Sequence, residues 1–201
     1  MRARSILAVM TATALFTGCA HTKAERDAGA GRTEKQAPAF RASDLDALVG
    51  PVWRGSLEYM DYTTGKPTTI RSTLRVTRLP ADAETAPAWS MAIGYDDEPH
   101  ADGASTLRLL KDGTAIRNDD TVERVIGRLM DKGVIEVTTE HRGADNDRPA
   151  TIRREYRFMG SGFAIKKLVK YEDAADFFQR HEYQWKRDES SPALPTPRST
   201  R

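Results

Sequence analysis

Arg154 and Tyr156 stand two residues apart, in step with Ile152 and Phe158. Alternate residues of an extended chain share a face, so a guanidinium and a phenol are expected on the apolar side of one strand. A guanidinium kept from water needs an anion, and its planar fork suits a carboxylate held through two parallel hydrogen bonds. That anion can belong to a ligand or to an acid elsewhere in the chain. Tyr183, in phase with His181 and Trp185, is the third candidate ligand-binding side chain.

Other chemically capable residues read more plainly. Tyr95-Asp96-Asp97-Glu98-Pro99-His100 gathers three carboxylates and an imidazole, oxygen-rich types that suit calcium. Their spacing follows no metal-binding loop, and Pro99 and Gly103 mark a solvated connection between strands. His141 and His181 are of the type that binds haem or a transition metal. Far apart in sequence and with no orienting carboxylate in view, they are read as hydrogen-bonded surface or core residues. Arg153, Arg157, Lys166 and Lys170 are read as a solvated strand face, with contact to lipid headgroups as the alternative. The chain holds no Gly-x-Ser-x-Gly elbow, phosphate-binding loop or His-Glu-x-x-His, and Gly160-Ser161-Gly162 joins two strands as a turn. No catalytic residue, metal or cofactor is assigned, and the chain is read as a non-enzyme.

The remaining reactive group is Cys19, the only cysteine among 201 residues. What precedes it defines an export signal over residues 1–18. Arg2 and Arg4 supply positive charge, and an uncharged stretch follows with Ile6, Leu7, Val9, Met10, Leu15 and Phe16. Small residues then lead to the cysteine. The apolar stretch is shorter than the roughly 20 residues that span a bilayer as a helix. A single cysteine in an exported chain has no disulfide partner, so a free thiol there calls for another role.

The chain carries 31 Lys and Arg against 29 Asp and Glu. Loss of Arg2 and Arg4 with the signal leaves the two signs equal. An even, interspersed balance gives no basic stripe and excludes nucleic acid as the main partner. Residues 19–42 are small, charged and polar, the composition of a flexible tether. Residues 189–201, with Pro192, Pro195 and Pro197, read as a disordered tail. Between them, residues 43–188 suffice for one domain.

Within that domain the apolar period is two. Trp53, Leu57 and Tyr59 alternate with Arg54, Ser56 and Glu58. Similar alternation runs through Ile70–Thr77, Trp89–Tyr95, Leu107–Leu109, Val134–Arg142, Ile152–Phe158, Phe163–Tyr171 and His181–Trp185. Asp44–Val49 reads as a short helical turn capped by Ser43. Regular strands at short spacing, with no helix long enough for a parallel crossover, predict an all-β antiparallel barrel or sandwich of about 8–10 strands.

Two resemblances sharpen these expectations. Thr17-Gly18-Cys19 resembles the lipobox of bacterial lipoproteins, with Phe16 where the family usually has Leu. The resemblance implies cleavage before Cys19, acylation (palmitate) there, and a membrane anchor. Ala20, in place of the Asp that retains such proteins at the inner membrane, implies the outer membrane, where the periplasmic face is expected. Leu48-Val49-Gly50-Pro51-Val52-Trp53 resembles the opening of lipocalin-like (calycin) barrels, with one extra residue between Gly50 and Trp53. It implies a single meander barrel, entered from a short helical turn and sealed at one end by Trp53. In fatty-acid-binding members an inward Arg-x-Tyr pair grips a carboxylate, though on the last strand, whereas Arg154 and Tyr156 lie earlier. The function expected is an envelope lipoprotein that binds a small apolar or amphipathic, lipid-like ligand inside the barrel. The alternative is a structural or interaction lipoprotein with a packed barrel and another envelope protein as partner.

Overall fold

The computed structural model describes residues 37–61, 64–80 and 86–190. The signal 1–18, Cys19, the tether up to residue 36 and the tail from residue 191 lie outside the described residues. One short helix, α1 (Ala42–Asp46), precedes ten strands. These are β1 (Val52–Met60), β2 (Pro67–Arg78), β3 (Ala88–Tyr95), β4 (Gly103–Leu110) and β5 (Ala115–Asn118). They continue as β6 (Thr121–Asp131), β7 (Val134–Asp145), β8 (Arg148–Met159), β9 (Gly162–Tyr171) and β10 (Phe178–Arg187). Each pairs antiparallel with its neighbour in sequence, and β10 returns to pair with β1. The expected meander barrel is therefore closed, which excludes the sandwich.

Register stacks the inward residues in layers. Gly55, Trp185, Phe163, Phe158 and Ile135 are successive cross-strand partners around β1, β10, β9, β8 and β7. Leu57, Tyr183, Ile165, Tyr156 and Val137 form the next layer, and Tyr59, His181, Lys167, Arg154 and Thr139 the third. The interior thus changes from aromatic to polar along the barrel axis, three residues deep. Lys132 and Gly133, both at positive φ, make the two-residue β6–β7 connection. Two positive-φ residues match the right-handed twist of the strands they join, and Gly adopts that conformation without a Cβ penalty.

α1 closes the aromatic end. Leu45 and Leu48 are buried against Trp53 and Trp89. Each tryptophan indole N–H is satisfied: Trp53 donates to the Leu48 carbonyl at 2.9 Å, Trp89 to Asp46 at 3.0 Å and Trp185 to the Ser72 hydroxyl at 3.0 Å. Trp53 thereby occupies the sealing position expected of it. The helix is displaced from its expected span of 44–49, and Ser43 lies in its first turn instead of capping it. The physical reason is Asp44, whose carboxylate accepts the Arg41 backbone N–H at 2.9 Å. Arg128 then grips the same carboxylate with two bonds of 2.6 and 3.0 Å. Phe40, at the end of the segment read as tether, is 2 % exposed and packs edge-on against Tyr156 and Phe158. Its N–H bonds the Gly113 carbonyl, so the base of the barrel begins ahead of residue 43.

Candidate functional site

Strand alternation carries Arg154 inward as expected, and its partner there is Glu123 on β6. Glu123 is fully buried and also accepts the Thr139 hydroxyl at 2.5 Å. Tyr156 lies beside this pair, and burial pushes its phenol pKa up. A buried charge needs a partner and further hydrogen bonds to be tolerated, and this network supplies both. The anion that balances Arg154 is thus internal. Tyr156 is enclosed beneath it, 2 % exposed. Tyr183 lies in the same layer as Tyr156 and stacks on Trp185 at 4.9 Å, and its hydroxyl meets that of Tyr95 at 2.6 Å. Burial, and after it this bond, raises the Tyr183 pKa.

Above these groups, at the end opposite α1, the barrel opens into a recess of about 450 Å³. Leu57 and Ile70, with Tyr59 and Tyr95, line the side formed by β1, β2 and β3. Asp145, Lys167, Arg180 and His181 line the side formed by β7, β9 and β10. Glu98 and Ala101 lie at the rim, on the β3–β4 connection. Volumes of about 300–1,000 Å³ are typical of small-molecule sites.

The charged side is built around Asp145, which is 4 % exposed. Lys167 Nζ approaches it at 2.7 Å, Arg180 Nε at 3.4 Å, and the Tyr171 hydroxyl donates to it at 3.2 Å. Arg180 and His181 are consecutive yet both line the recess, because the β9–β10 ladder shifts register between Gln179 and His181. A bulge of this kind re-aims a side chain that strict alternation would send outward. Burial, reinforced by Lys167, Arg154 and Arg180 and opposed by Asp145, pushes the His181 pKa down to about 4. The imidazole is therefore neutral at pH 7, beside cations fixed in place.

Sequence reasoning brought Arg154, Tyr156 and Tyr183 to the interior and missed Glu123, Asp145, Lys167 and Arg180. Lys167 was findable, since it is in phase with Phe163, Ile165 and Val169. Arg180 was not, since its orientation depends on the bulge.

The remaining candidates disperse. Asp96 and Asp97 face Arg71 at 3.6 and 3.9 Å on the exposed side of the β3–β4 connection. His141 is half-buried with its Nδ1 unpartnered among the described residues, and burial lowers its pKa. No group of three or more His, Cys, Asp or Glu gathers to hold a metal among the described residues. Arg153, Arg157 and Lys166 meet Glu140, Glu136 and Glu182 on adjacent strands at 2.9–3.5 Å. Partly exposed pairs of this type contribute little stability.

The class defined by these features is a closed ten-stranded antiparallel meander barrel, packed at its base and recessed at its mouth. No protein-family model matches the chain, and no curated protein matches it. Among solved structures it is similar to the crystal structure of Rv2717c from M. tuberculosis. The TM-score is 0.49 at 13 % identity, over 73 % of this chain and 96 % of that one.

Proposed function

We propose that this chain is an envelope lipoprotein, anchored through Cys19 on the periplasmic face of the outer membrane, whose barrel takes a small amphipathic ligand at its open end. One observation carries the binding half of the reading. A recess of ligand size lies over packed aromatic layers, with an apolar wall facing a wall of fixed charges. Apolar walls supply affinity and a few placed polar groups supply orientation, the usual division of labour in small-molecule sites. The role proposed is binding, with Lys167, Arg180 and Asp145 holding one another in place.

The test is native mass spectrometry of gently extracted protein, with a parallel titration using a dansyl-labelled fatty acid. A co-purifying amphiphile, or saturable binding lost when the recess is filled by Leu57→Trp, supports the reading. A bare protein that binds no amphiphile rejects it. The alternative, a packed barrel that meets another envelope protein, draws on the packed base and on Leu129 and Met130, exposed beside the β6–β7 turn.

A further inference from the structure

The charged groups that line the recess are two cations, Lys167 and Arg180, and two acids, Asp145 and Glu98. They cancel in number but not in place. Lys167, Arg180 and Asp145 stand together on β9, β10 and β7, so that wall carries one positive charge more than negative. Burial lowers the His181 pKa, and Lys167, Arg154 and Arg180 add to that shift against Asp145.

Glu98 belongs to the β3–β4 connection. In the closed ring β3 is separated from β10 by β2 and β1, so Glu98 stands across the mouth from the cations. Its neighbours Asp96 and Asp97 turn outward to Arg71, whereas Glu98 is half-buried, lines the recess and makes no ion pair among the described residues. Tyr95, three residues before Glu98, also lines the recess, and Tyr59 lines it from β1, where it pairs with His181. Aromatic rings attract cations through their faces, most strongly where water is scarce, and a carboxylate beside them adds to that attraction.

We propose that the recess selects a zwitterionic ligand, its ammonium group held by Glu98 on the side that carries Tyr95 and its carboxylate or phosphate held by Lys167 and Arg180. This rests on the binding function proposed above and names the ligand class. A purely anionic amphiphile satisfies one wall and brings its charge towards an unpaired Glu98. A purely cationic one meets the opposite fault. A zwitterion meets both walls and leaves the net charge of the recess unchanged. Selectivity of this kind is a difference between affinities, and the penalty on the wrong ligand contributes as much as the contacts to the right one.

The experiment is calorimetric titration of the full-length, unacylated chain with three ligands that share a ten-carbon tail, each below its micelle concentration: decylphosphocholine, decyl phosphate and decyltrimethylammonium. Decylphosphocholine is expected to bind at least about tenfold more tightly than either of the others. Glu98→Gln is expected to bring its advantage over decyl phosphate to within about threefold, and Lys167→Met to do the same against decyltrimethylammonium. Free phosphocholine separates the sources. Binding as tight as that of decylphosphocholine points to a soluble zwitterion, and much weaker binding to a lipid headgroup. Equal affinity for decyl phosphate and decylphosphocholine, or a ratio unmoved by Glu98→Gln in a folded variant, overturns the ligand class and leaves the binding function standing. Failure of all three ligands to bind overturns both.

Discussion

Glu123 and Arg154 are buried as a pair, so each depends on the other. Arg154→Leu leaves a fully buried carboxylate without its cation, and breaking such a pair typically costs about 3–5 kcal/mol. A urea titration should show that loss, and Arg154→Leu with Glu123→Gln should recover much of it. Ligand affinity at the recess should change little, because the Arg154 charge is already answered inside the barrel. His181 gives a pH signature. Its folded pKa of about 4 lies below the ordinary 6.5, so the unfolded chain takes up a proton first as the solution is acidified. Its contribution to stability is complete above about pH 6.5 and declines as pH falls towards 4. His181→Gln should flatten the stability profile over that window, and identical profiles for the two proteins would refute the assignment. At this scale the inward placement of Arg154 and Tyr156 was legible from spacing alone. Glu123 was not, because in Thr121–Asp131 the apolar Val122 and Leu129 face solvent while Glu123 and Arg128 turn inward, the reverse of the pattern that reveals a strand.

The same reversal hid whole elements. β5 and β6 follow no apolar alternation, and a register shift between Val125 and Gly127 breaks the phase again. Strands with a clean period of two, such as β1, β8 and β9, were placed correctly because burial of one face writes directly into their sequence. The seam between β1 and β10 has a requirement that no period shows. A Cβ on Gly55 would lie 1.8 Å from the Gln184 carbonyl oxygen, so the two backbones meet there only because residue 55 has no side chain. Gly55→Ala should therefore cost about 3 kcal/mol or more in a denaturant titration, at or beyond the upper end of core overpacking. Gly127→Ala is the control. Its nearest neighbour, the Thr138 side chain, is at an ordinary contact distance of 3.5 Å, and it should change stability by well under half as much.

For the molecule as a whole, regular strands with no crossover helix left a barrel or a sandwich, the lipocalin-like opening at Leu48–Trp53 favoured the barrel, and the lipobox-like Thr17-Gly18-Cys19 suggested where it is held. If the anchor is real, wild-type protein should partition into the detergent phase and Cys19→Ser should stay in the aqueous phase or accumulate unprocessed. Identical partitioning and migration of the two would remove the membrane from the proposed function while leaving the recess intact.

The joining of β1 to β10 also sets an order of assembly. Arg54 bonds Asp188 across 134 positions of sequence, and the ladder beside it pairs the first strand with the last. Contacts between such distant segments form late, since the intervening chain must be ordered before they repay its closure entropy. A chain made from its N-terminus presents β1 long before β10 arrives, and until then one side of β1 remains an open template for foreign strands. A chain ending at Tyr171 should carry two permanent edges, on β1 and β9, and should sediment as aggregates under conditions where the full chain does not. A monomeric truncated chain with the full-length near-ultraviolet circular dichroism would show that the other nine strands close without the tenth.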